Sequence, residues 1–96
     1  VAAETDAWDP HHFIYVGACL CSPLWEELDG YRPKLEPAVD RDFRGNCWAQ
    51  KKSYVISKLV HVVQKSLNQI GISEAQPQDV VNAARRLLKT VAQYLY

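Results

Sequence analysis

The chain has 96 residues, enough for one small domain. With 48% hydrophobic and 23% charged residues it reads as globular rather than disordered, and its formal net charge of zero argues against a protein that grips nucleic acid by neutralising phosphates. No stretch approaches the roughly 18 apolar residues of a membrane span, and the longest run, Phe13 to Cys21, falls well short.

Residues 1–8 lack periodicity and are expected to form a loose arm ending at Trp8. Asp9–Pro10 is a helix start, with Asp as N-cap and Pro at the first helical position, where its missing N–H costs nothing. The run that follows, HHFIYVGACLC, contains residues that also suit a buried strand. No other segment offers a convincing strand partner, so a helix is expected. Ser22–Pro23 repeats the start signal and Asp29–Gly30 supplies a stop. They bound a short second helix, or a kinked continuation of the first, with Trp25 and Leu28 on its inner face.

Residues 30–46 are expected to be an irregular loop, because Pro33, Pro37 and Gly45 interrupt them. Leu35, Val39 and Phe43 recur every fourth residue. That spacing allows a helical turn or two from Pro37, or pins a surface loop by those side chains.

Cys47 to Ile70 contains neither Gly nor Pro and is the longest helical pattern in the chain. At about 100° per residue, Val55, Ile56, Leu59, Val60, Val62, Val63, Leu67 and Ile70 make a broad apolar stripe suited to two neighbours. Gly71 is its natural stop. Ser73 and Gln76 have capping-box spacing, and Pro77 fits the first turn of a last helix running to about Tyr94. Val80, Ala84, Leu87, Leu88, Val91 and Leu95 form the inner side of that helix. Two long amphipathic helices joined by a short turn lie antiparallel, and the N-terminal helix covers the groove they leave. The expected fold is a single all-α domain of three to four helices over residues 1–96.

Three cysteines are present. A bridge from Cys47 to either Cys19 or Cys21 closes a loop of about 25 residues, which stabilises by about 3 kcal/mol in the chain-entropy model. The chain has no Met and opens at Val. It therefore reads as a processed product, and one disulfide in a secreted or periplasmic protein is expected. The third thiol, together with the C-terminal Tyr94–Leu95–Tyr96, gives a route to a homodimer.

Charge divides the chain. Residues 1–46 hold nine acids and four bases, whereas residues 47–96 hold two acids and seven bases. The two halves attract each other on folding, and the basic half also offers a face to an acidic partner. The outer ridge of the central helix, Tyr54, Lys58, His61 and Lys65, is the expected partner-binding surface. Lysines on an exposed helix are ordinary, but an aromatic with a polar tip beside cations is favoured at interfaces.

Other chemistry is weakly represented. His11 and His12 with Cys19, Cys21 and Cys47 suggest a metal- or ligand-handling protein, although Cys-x-Cys is tighter than the usual spacing of structural zinc sites. Asp40-x-Asp42 and Gly45 imitate a calcium loop, but Arg44 and Lys51 occupy the positions of later acidic ligands. Cys19 and Cys21 as a redox pair would need an activated thiolate. No spacing asks for a cofactor, and none places a nucleophile beside a base. The leading expectation is a non-enzymatic protein-interaction domain: an inhibitor, immunity protein, adaptor or accessory subunit. The metal- or ligand-handling protein is the alternative.

Overall fold

A computed structural model of the chain describes residues 11–43 and 45–95. The expected arm at 1–8 and the Asp9–Pro10 start lie outside the described residues. Five helices are present among those described, and no strand. They are α1 (His12–Leu20), α2 (Leu24–Gly30), α3 (Arg32–Phe43), α4 (Trp48–Gln69) and α5 (Pro77–Ala92).

The two long helices form as their patterns require. Cys47 is the N-cap of α4 and Ile70 its C-cap. Gly71 then takes a φ of +86°. The Ile72 N–H reaches the Leu67 carbonyl at 2.9 Å and the Gly71 N–H reaches that of Asn68 at 3.1 Å, a complete Schellman closure. The chain turns back and α5 packs along α4. The expected capping box is not formed: α5 starts with Gln76 as N-cap, without a side-chain cap bond, and with Pro77 in its first turn. The segment before it is held instead by Tyr15, whose hydroxyl donates to the Ala75 carbonyl (2.9 Å) and accepts from the Ala75 N–H (3.0 Å).

At the α1–α2 corner, the Ser22 hydroxyl donates to the Cys19 carbonyl at 2.7 Å and accepts from the Leu24 N–H at 3.1 Å. One residue, Tyr31, separates α2 from α3. Here the structure corrects the sequence reading: most of the expected irregular segment 30–46 is a twelve-residue helix. Pro33 stands in its first turn, where a missing N–H is harmless. Pro37 lies inside the helix and deprives the Pro33 carbonyl of its donor, at the exposed side of the helix where both prolines stand. Burial of Leu35, packing of Val39 and the pairing of Glu36 and Asp40 with Lys51 outweigh that loss.

The core lies where α1, α2 and α5 meet α4. Cys19, Leu24, Leu28, Ile56, Val60, Val80, Val81 and Leu88 are its largest fully buried side chains. The charge asymmetry is used internally across the helices: Lys52 pairs with Asp29, Lys51 with Asp40 and Glu36, and Arg85 with Glu27. Lys34 adds a bond from α3 to the Ala92 carbonyl at the end of α5 (3.5 Å), a cation at a helix C-terminus. Among the described residues, no helix is long and apolar enough to cross a membrane.

Candidate docking face

The predicted ridge divides in two. Tyr54 is half-buried and stacks on Phe43, the last residue of α3, with ring centroids 4.9 Å apart and planes within 13°. It therefore fastens α3 to α4. The Lys58 ammonium stands 5.3 Å from the Tyr54 ring centroid. His61 is partly exposed, whereas Lys58 and Lys65 are exposed. Neither lysine makes an ion pair among the described residues.

Next to these lysines lies a feature that sequence reasoning missed. Val62, Val63, Ser66, Leu67 and Ile70 of α4, with its C-cap, face Ala83 and Leu87 of α5 across an open apolar groove of about 340 Å³. Val62 is 46% exposed and Ile70 71%. Both were assigned to the core stripe, and the stripe proves wider than its neighbours cover. α1 and α5 enclose Ile56, Val60 and Val63, but nothing described lies over the Val62–Ser66–Ile70 edge. Val91 of α5, expected on the inner side of that helix, is also 36% exposed. The signal was partly present in the sequence: Val62 stands at one margin of the stripe, and Ile70 stands at its centre but at the very end of the helix.

The other predicted constellation is dispersed. His12 is buried and bonded at both ring nitrogens, Nδ1 to Gln64 Oε1 and Nε2 to Ser57 Oγ, each at 3.1 Å. A Gln Oε1 only accepts, so Nδ1 donates to it, while the Ser57 hydroxyl pairs with Nε2. His11 turns to Glu74, 3.3 Å away. Cys19 is fully buried, while Cys21 and Cys47 are exposed, and all three are free thiols. The expected bridge from Cys47 to Cys19 or Cys21 is absent: Cys19 is enclosed in the core, and the exposed Cys21 and Cys47 are unpaired thiols. His12 at the start of α1 meets α4 at Ser57 and Gln64, whereas Cys47 caps the start of α4. Lys52 and Trp48, at the Cys47 end, face α2: Trp48 donates to Asp29 at 2.7 Å and Lys52 to the Trp25 carbonyl at 3.2 Å. No group of three or more His, Cys, Asp or Glu residues placed to hold a metal ion occurs among the described residues. Asp40 and Asp42 of the imitation calcium loop stand instead in the last turn of α3, with Asp40 committed to Lys51 at 2.6 Å.

The titrating groups follow the same helix-joining contacts. The Trp48 indole, and after it Lys52, hold the Asp29 carboxyl below its ordinary range. Arg32 does the same for Glu36, and Asp40 raises the Lys51 ammonium. Burial pushes the Cys19 thiol up to about 11, which keeps it protonated and unreactive near neutral pH. Lys52 is enclosed by Asp29 at 3.0 Å and by the Trp25 ring, whose centroid lies 3.9 Å from its Nζ. Each of these polar clusters joins one helix to another; the α4–α5 groove joins nothing. No family model matches the sequence, and no curated protein or solved structure shows significant similarity to it.

Proposed function

We propose that the chain is a non-enzymatic protein-interaction domain, of the inhibitor, immunity-protein, adaptor or accessory-subunit kind, and that it docks its partner over the α4–α5 groove. The observation that carries this reading is the uncovered apolar floor formed by Val62, Ile70 and Leu87 between two otherwise well-packed helices. Contiguous exposed apolar surface rimmed by polar side chains is the usual mark of a protein-binding site. The commitment of the buried polar residues to helix joining supports the non-enzymatic part. The predicted ridge keeps a role through Lys58 and Lys65, which edge the groove, whereas Tyr54 fastens α3 to α4. In an oxidising compartment the exposed Cys21 and Cys47 are the thiols open to a second chain.

The test is site-specific photocrosslinking in native extract. A benzophenone side chain at Ser66, in the groove, is expected to yield one saturable adduct of discrete mass. The same group at Gln50, exposed near the start of α4, is expected not to yield it. Leu87→Glu should abolish the Ser66 adduct while leaving the helical circular dichroism unchanged. Identical adduct patterns from positions 66 and 50 would overturn the reading.

A further inference from the structure

Lys51, Lys58 and Lys65 stand seven residues apart on α4. At that spacing they form one row along the helix, drifting only about 20° per step. The first member is already occupied. Its ammonium lies 2.6 Å from Asp40 and 3.4 Å from Glu36, two carboxylates on α3. The apolar side of the same helix is seated at that end of the domain: Leu35 is buried, Val39 packs on the core, and Phe43 stacks on Tyr54. α3 is thus an amphipathic helix of balanced charge that sets two of its carboxylates, Glu36 and Asp40, beside a lysine of α4, and it ends at Phe43.

Beyond that end the same pattern continues without a cover. Lys58 and Lys65 prolong the lysine row, and Val62, Ser66 and Ile70 prolong the floor beside it. On the opposite side Arg86, adjacent to Leu87, is also exposed and has no ion pair among the described residues. We infer that the groove receives an acidic amphipathic helix of a partner protein, lying along α4 beside its lysine row. Its apolar side meets Val62, Ile70 and Leu87, and its flanking carboxylates meet Lys58, Lys65 and Arg86. This rests on the reading of the groove as a docking face and adds the chemistry of the occupant. A second copy of the chain is disfavoured, because two such faces brought together would oppose lysine and arginine rims of like sign.

The probe is a fluorescein-labelled designed peptide of about 18 residues, long enough to hold a helix, with leucines at i, i+4, i+7 and i+11 and glutamates on both flanks. Its twin carries lysine for every glutamate. In anisotropy titrations of the intact chain at low salt, the glutamate peptide should bind about 10- to 30-fold more tightly than the twin, and the gap should shrink in about 0.5 M salt. Its amide chemical-shift changes should centre on Val62, Ser66, Ile70, Ala83 and Leu87. The double variant Lys58→Glu/Lys65→Glu, at two exposed positions, should reverse the preference. Equal binding of both peptides, or tighter binding of the lysine twin to the unaltered chain, overturns the acidic occupant. Shifts centred elsewhere, or no binding of either peptide up to about 1 mM, overturn the helical occupant. In each of these cases the crosslink from position 66 decides separately whether the groove docks a protein.

Discussion

The buried His12 gives the sharpest test of how α1 is held. In His12→Ala, Gln64 and Ser57 both lose their 3.1 Å partner. Two bonds are removed, each worth about 1 kcal/mol net, and the Gln64 side chain becomes a buried polar group without its partner, at a further cost of about 1–3 kcal/mol. Allowing for partial relaxation, a loss of about 2–4 kcal/mol is expected, a large part of the total stability of so small a domain. Urea denaturation followed by circular dichroism and tryptophan fluorescence should show a lower midpoint with an unchanged slope. The companion double variant His12→Leu/Gln64→Leu removes both polar partners and leaves only the half-buried Ser57 to find water. It should therefore cost less than His12→Ala alone, about 1 kcal/mol or under. If His12→Ala costs less than about 0.5 kcal/mol, or the double variant is worse than the sum of its singles, the polar clamp is not what seats α1.

Two further predictions concern titration and thiol chemistry. Asp29 and Glu36 have folded-state carboxyls below their ordinary range. Their contribution to stability is complete above about pH 4–5 and is lost as the pH falls through the folded values, so Asp29→Asn/Glu36→Gln should flatten the acid limb of a urea-midpoint titration. An unchanged acid limb would show that these carboxylates do not stabilise the fold. Lys51 acts in the opposite sense: its contribution is complete below its ordinary value of 10.5 and is lost above it, as the pH rises through its raised folded value. The Cys19 thiol, raised from 9.0 to about 11, removes stability as the pH climbs between those values. With a thiol reagent at neutral pH, Cys21 and Cys47 should react at once, and Cys19 only on unfolding. A fast third equivalent, assigned to Cys19 by peptide mapping, would contradict its enclosure in the core.

Periodicity made the long helices legible because their packing is one-sided. α4 and α5 need only an apolar stripe and a stop, and Gly71 and Pro77 supply the punctuation between them. α3 was hidden because its two prolines are local signals against a helix, whereas what holds it is distant: Lys51 of α4 against Asp40 and Glu36, and Tyr54 against Phe43. The disulfide expectation failed because spacing along one chain does not contain which thiols the fold encloses and which it leaves apart. His12 looked like a metal ligand because its partners, Ser57 and Gln64, lie 45 and 52 residues away. The ridge at Tyr54, Lys58, His61 and Lys65 was read from the correct helix, but its lysines edge a groove whose other wall is α5, and only the folded arrangement shows that wall.

The position of the groove follows from a mismatch of lengths. The twenty-two residues of α4 extend about 33 Å, whereas the twelve of α3 extend about 18 Å. α3 is anchored at the start of α4, through Lys51 and Tyr54, so it runs out before α4 does. From Tyr54, where Phe43 stacks, to Gln69 is about 22 Å, and the roughly 12 Å from Val62 to Ile70 lies at that far end of the helix. The two helices also differ in how they end. α4 is terminated by the Schellman closure at Gly71, which fixes Ile70 and Ile72 at the far edge of the floor. The open groove is therefore set by where two helices stop, and its lysine edge repeats the chemistry by which α3 is already bound.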